Sequence, residues 1–226
     1  MLHIKEINPD VVIDAHAIDI STDILYIPCV DSLSTVDNYS VFESLLLHGG
    51  LDDQPIDLLL SCVDNYSARI TINIACMRHN VSWMESGVSE DAVSGHIQFV
   101  VPGRTACFQC IPPMAIASGM DERTIRRDGV CTASLPTTMG IVAGLLAQNV
   151  LKYLLHFGQV SYYLGYSALN NFFPSDVLRP SKDCANPDCR RRQKEYAGQW
   201  SPEVWTPRVE KVEEENEWGI TYPWEC

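Results

Sequence analysis

Asp57–Glu85, DLLLSCVDNYSARITINIACMRHNVSWME, carries the pattern that decides the fold. Pro55 and Ile56 lead into DLLLSCV (57–63), a continuous apolar run of the kind found in strands buried on both faces of a parallel sheet. Asp64-Asn65 follows at its carboxyl end, the spacing predicts a helix over 66–79, and VSWME (81–85) reads as a second short strand. Strand, turn, helix, strand is the unit of a doubly wound α/β sheet, which binds ligands outside the carboxyl ends of its strands. Asp64 and Asn65 are therefore candidate ligand-facing residues. The alternative for Asp64 is that it caps the helix that follows.

Working outward, VVID (11–14) reads as a strand, and the segment 16–34 shows no clean period. Val36, Tyr39, Phe42, Leu46 and Leu47 are spaced as on one helix, which Gly49-Gly50 ends. Downstream, HIQFVV (96–101) lies between glycine turns as a strand, and SYYLGYSA (161–168) is another. The longest apolar stretch, TMGIVAGLLAQNVLKYLLH (138–156), reaches only the lower end of a membrane-spanning length, and Gln148, Asn149 and Lys152 interrupt it. It reads as a buried helix, not a transmembrane segment, with Gly140 and Gly144 placed to let another backbone approach, in the core or across a subunit boundary.

The 226 residues, 46% hydrophobic and 20% charged, supply material for one sizeable core. A formal charge of −13 argues against a nucleic-acid binder, for which a basic face is expected. Nine cysteines could suggest a disulfide scaffold, but the count is odd and MLHIKEINPD has no basic-plus-apolar signal segment. A reducing, cytoplasmic setting is expected.

Cys107 and Cys110 form C-F-Q-C, Cys184 and Cys189 form C-A-N-P-D-C, and 73 residues lie between the two pairs. Four thiolates suit a closed tetrahedral Zn²⁺, a structural staple across two distant segments; the alternative is unrelated buried or surface thiols. Cys29, Cys62 and Cys76 have no such spacing and read as packing. Cys131 lies in GVCTASLPTT (129–138), just before the long apolar helix. Backbone donors and the positive end of a helix dipole could lower its thiol pKa and make it a nucleophile; otherwise it is one more small buried hydrophobe. The charged cluster between 121 and 128 reads as a movable surface loop or a weak helix leading to it. From Glu210 to Cys226 six Glu and one Lys give a net charge of −5, the composition of an acidic flexible tail (199–226) rather than a core element. Within it Trp218 and Ile220 could dock as an added strand or a short linear motif; the alternative is an incidental surface Trp.

SCVDN (61–65), WMESGVSEDAVSGHIQ (83–98), GVCTASLPTTMG (129–140), the four paired cysteines and NEWGI (216–220) together resemble the ThiF/MoeB/HesA class, in its branch that activates the ubiquitin-fold modifier. The resemblance implies a Rossmann-like adenylation domain over 1–198 with a structural zinc site. It also implies ATP- and Mg²⁺-dependent adenylation of the modifier's C-terminal glycine, then thioester formation on a catalytic Cys131 for transfer to a conjugating enzyme. By the same resemblance Asp64 lies by magnesium and phosphates, Asn65 contacts the nucleotide, and Arg69 lies near the nucleotide site of the partner in a homodimer. Cys107, Cys110, Cys184 and Cys189 hold zinc, and Trp218 and Ile220 bind the modifier. No G-x-G-x-x-G occurs in the chain, so the resemblance aligns its start after the family's glycine-rich strand-turn-helix, as in an N-terminally truncated member. Residues 16–32 are an extra stretch, and the tail diverges after Ile220, where the segment recruiting the conjugating enzyme is expected. Two other functions remain open: a catalytically silent, zinc-stapled module that binds the modifier through its tail, and a sulfur-carrier adenylyltransferase of the same class.

Overall fold

The computed structural model describes residues 2–18, 20, 36–89, 91–111 and 135–197. The elements in chain order are α1 (Leu2–Ile7), α2 (Val36–His48), a 3-10 turn (Leu51–Asp53), β1 (Leu59–Ser61), α3 (Tyr66–His79), β2 (Trp83–Val88), β3 (Ser94–Val100), α4 (Pro136–Leu155), β4 (Tyr163–Ser167), β5 (Ser175–Asp176) and α5 (Pro187–Glu195). The strands form one sheet in the order β1-β2-β3-β4-β5. β1 and β2 pair in parallel, and the other three pairings are antiparallel. The expected α/β class holds, but the sheet is mixed: β1, α3 and β2 form the one parallel unit among the described residues.

Side-chain alternation along β2 and β3 divides the core between two layers. Trp83 and Val100, opposite each other in the register, pack with Ile72, Cys76 and Met77 of α3 and with Phe42 and Leu46 of α2. Met84 and Phe99, the next pair, pack with Ile97, Val142 and Leu146 beneath α4. Thus α3 and α4 cover opposite faces of the sheet, and α5 lies against α3. Glu43 ties α2 to α3 through His79 at 2.9 Å and Arg78 at 3.1 Å.

Four sequence expectations need correction. VVID forms no strand: residues 11–14 lie outside regular structure and Val12 is 79% exposed. The run 57–63 yields only three residues of strand, and Leu60 stands half exposed, because β1 is an edge with β2 as its sole neighbour among the described strands. The long apolar helix meets the length and composition of a membrane span, yet it lies along the sheet and buries only the stripe Thr138, Val142, Leu146 and Asn149. Asn149 exchanges hydrogen bonds with the Ser161 backbone at 2.9 and 2.8 Å, while Ile141, Leu151 and Leu155 face outward. Finally, a Cβ built on Gly140 or Gly144 meets nothing within 4 Å, so no described backbone uses the approach those glycines offer.

Candidate functional site

Two local structures converge on α3. The first is the thiolate centre. Gly103, at φ +75°, turns the chain out of β3 directly beneath α5; a Cβ there would meet the Arg192 backbone at 2.5 Å. Thr105 Oγ1 accepts from Val101 N at 2.8 Å, and Ala106 N donates to Leu178 O at 2.8 Å, which brings the turn segment carrying the first cysteine pair beside the segment leading to the second. Cys110 N closes the knuckle onto Cys107 O at 2.9 Å. On the other side Asn186 caps α5 by accepting from Cys189 N at 3.0 Å, with Pro187 in the first turn, so the Cys189 sulfur sits at the positive end of that helix.

The four sulfurs lie within 4.8 Å of one another, three of the cysteines buried and Cys110 half-buried. Their close contacts are 3.6 Å between Cys107 and Cys184 and 3.7 Å for both Cys107–Cys110 and Cys110–Cys189. A disulfide needs about 2.05 Å. Ligands at about 2.3 Å around a tetrahedral zinc stand roughly 3.8 Å apart, so the spacing suits metal coordination. Contact with Cys107 holds the Cys110 thiol far below its ordinary range, and the same contact pushes Cys107 above it. Amide donors surround the sulfurs: Ser181 N reaches Cys110 at 3.4 Å, and Gln193 Nε2 reaches Cys189 at 3.4 Å. Such contacts offset the negative charge of a thiolate set. The four cysteines are compatible with a structural Zn²⁺ in chemistry, spacing and surroundings.

The second structure is the turn from β1 into α3. Asn65, not Asp64, is the helix cap: its Oδ1 accepts from Ala68 N at 2.8 Å, while its Nδ2 donates to Asp64 Oδ1 at 3.3 Å. Asp64 stands exposed at the carboxyl end of β1. Arg69, one turn into α3, points back beneath this turn. Its Nη2 donates to Val63 O at 3.0 Å and Ser86 O at 2.9 Å, and its Nη1 pairs with Glu85. Glu85 is fully buried in the middle of β2, and its other oxygen meets His96 Nε2 of β3 at 2.6 Å. Gly87 leaves room for both side chains that meet Glu85, since a Cβ there would come within 2.9 Å of His96 and 3.1 Å of Arg69. Tyr163 stacks on His96 at 5.5 Å, and burial, with the nearby Glu85, raises its phenol pKa.

The structure therefore brings Asp64, Asn65 and Arg69 around one turn and the four cysteines into one cluster. Cys131, Trp218 and Ile220 lie outside the described residues, as does Cys29. Cys62 is exposed, contrary to its reading as packing, whereas Cys76 is buried and burial pushes its thiol pKa up, leaving it inert. Sequence reading passed over Glu85 and His96. The signal was present: an acid in the middle of an apolar strand is costly unless it is paired.

Comparison with known proteins bears on the same residues. "Ubiquitin-like modifier-activating enzyme 5" of Caenorhabditis elegans is 52% identical over 220 residues, covering 95% of this chain and 49% of that protein. The protein of the same name from Rattus norvegicus is 49% identical over 223 residues, covering 96% of this chain and 52% of that one. This chain thus spans about half the length of the curated relatives it matches. Among solved structures, E. coli MccB aligns with a TM-score of 0.47 and 18% identity over 57% of this chain and 39% of that chain. The ThiF family model matches residues 2–191, which takes in the β1–α3 turn and all four clustered cysteines, and the chain belongs to the ThiF family.

Proposed function

We propose that this chain acts in the activation of a ubiquitin-fold modifier. The observation that carries the reading is the near-50% identity, over almost the whole chain, to proteins named for that activity. In the reaction proposed, the modifier's C-terminal carboxylate attacks the α-phosphorus of ATP, expelling pyrophosphate. The Cys131 thiolate then attacks the acyl carbon and displaces AMP, so that a thioester links modifier and chain. Passing the acyl group onward to a conjugating enzyme completes the role.

The exposed carboxylate of Asp64 suits a place beside magnesium and the phosphates, where the metal would neutralise phosphate charge. Asn65, already holding the turn, lies beside it for nucleotide contact. Arg69 belongs to the same turn, and its assignment to the nucleotide site of a partner copy accompanies a homodimer. Zinc on Cys107, Cys110, Cys184 and Cys189 would fix the second cysteine pair to the first. Trp218 and Ile220, in the acidic segment 199–226, are assigned to modifier binding, and the setting is the cytoplasm. ATP–pyrophosphate exchange tests the first step: labelled pyrophosphate should enter ATP only when the modifier and its terminal glycine are present. No exchange from folded, zinc-loaded protein would contradict the reading, and exchange with a sulfur carrier instead would redirect it.

A further inference from the structure

Asn73 is fully buried in the apolar run ITINIAC of α3. A polar side chain there is costly unless satisfied, and all its bonds go to the C-F-Q-C knuckle. Its Oδ1 accepts from Phe108 N at 3.0 Å, and its Nδ2 donates to Gln109 Oε1 at 3.1 Å and reaches Cys107 Sγ at 3.7 Å. Asn186, 2% exposed, mirrors this arrangement: its Oδ1 is taken by Cys189 N, and its Nδ2 donates to the same Gln109 Oε1 at 2.9 Å. Because a backbone N–H occupies each asparagine oxygen, both amide groups must turn their NH₂ to Gln109, which therefore presents its oxygen. Gln109 cross-links the two cysteine pairs. Its neighbour Phe108 rests on the start of α3, 5.6 Å from the Tyr66 ring and 5.9 Å from the Arg69 guanidinium.

Both residues between Cys107 and Cys110 thus grip α3, Phe108 near the Asp64–Asn65 turn and Gln109 farther along. We propose that Asn73 and Gln109 are positioning residues for the metal. They fix Cys107 and the knuckle, and through α3 they make metal occupancy and the placement of the Asp64–Arg69 turn one linked equilibrium. Whatever stabilises the closed knuckle then stabilises the turn, and the coupling is reciprocal. The inference rests on the zinc reading of the four cysteines and is independent of the nucleotide chemistry.

The test uses the full chain loaded with zinc and titrated with a chromophoric chelator, as wild type, Asn73→Ser and Gln109→Ala, with hydrogen exchange of residues 65–73 followed as zinc is withdrawn. Wild type should hold one zinc per chain, and each variant should hold it about tenfold to a hundredfold more weakly, the range for lost outer-shell partners. Zinc withdrawal from wild type should raise exchange over 65–73 ahead of β3 and α4. Gln109 is half-buried, so its alanine variant reads the bridge even if Asn73→Ser fails to fold. Unchanged affinity in Gln109→Ala, or exchange in 65–73 that ignores zinc, overturns the inference and leaves the zinc reading standing. Wild type without bound zinc overturns both.

Discussion

Replacing Glu85 with alanine removes the carboxylate that Arg69 and His96 share. The side chain of Glu85 is 0% exposed and that of Arg69 is 14% exposed, so the surface-pair figure of well under 1 kcal/mol does not apply. Removing one member of a buried pair leaves the other charge uncompensated, at about 3–5 kcal/mol. Arg69 keeps its bonds to Val63 O and Ser86 O, which points to the lower half of that range. Against a total stability of about 5–15 kcal/mol the loss is large. At about 2–4 °C per kcal/mol for a domain of this size, the melting temperature should fall by on the order of 10 °C. Glu85→Gln, which keeps an acceptor, should cost roughly half as much, and the double replacement Glu85→Leu with Arg69→Met should recover most of the loss, since removing both charges is often near neutral. Urea unfolding of the zinc-loaded single and double variants, arranged as a double-mutant cycle, measures the coupling. A Glu85→Ala loss below about 1 kcal/mol, or strictly additive effects, would refute the account of a buried, mutually dependent pair beneath the Asp64 turn.

Gly103→Ala should cost about 1–3 kcal/mol, because it strains a positive φ and drives a methyl into the Arg192 backbone; chelator titration should show weaker metal retention alongside, since α5 carries Cys189. Asn149→Leu keeps the branched shape but orphans the Ser161 N–H and C=O, and urea unfolding should register about 2–4 kcal/mol. Burial opposes ionisation of Glu43, yet hydrogen bonds from His79, Tyr39 and Arg78 hold its pKa below the ordinary 4.5. A depressed carboxyl stabilises the fold above its unfolded pKa, and that contribution is lost as pH falls through the lower folded value. The stability gap between wild type and Glu43→Gln should therefore stay constant above about pH 4.5 and close as pH falls below it, through the lower folded value, and a gap that does not shrink on acidification would argue against the α2–α3 tie.

The elements that formed as read are those whose patterns are local. α3 occupies 66–79 as its spacing predicts, and α2, β2, β3, α4 and β4 lie where their periodicity places them, with shifted ends. What escaped depended on neighbours. The apolar run at 57–63 cannot reveal that, among the described strands, it has one neighbour rather than two, and its burial is lower than the run alone implies. Cys62 was read as packing for the same reason, and only the three-dimensional register turns it outward. The cysteine cluster was legible because paired spacing is itself a chemical pattern. The Asn73–Gln109–Asn186 bridge spans 113 positions with no repeating pattern (186 − 73), and Arg69–Glu85–His96 joins a helix to two strands. In each case the sequence clue was a polar residue inside an apolar run, which marks a buried partner without naming it.

The central claim is an acyl transfer from ATP-activated modifier to Cys131. Its most direct measurement is a non-reducing gel of this chain incubated with Mg-ATP and the ubiquitin-fold modifier, beside Cys131→Ala and a thiol-treated sample. The account predicts an adduct that needs ATP, vanishes on thiol treatment and is lost in Cys131→Ala. An adduct that survives in Cys131→Ala, or none from folded and zinc-loaded protein, would contradict it.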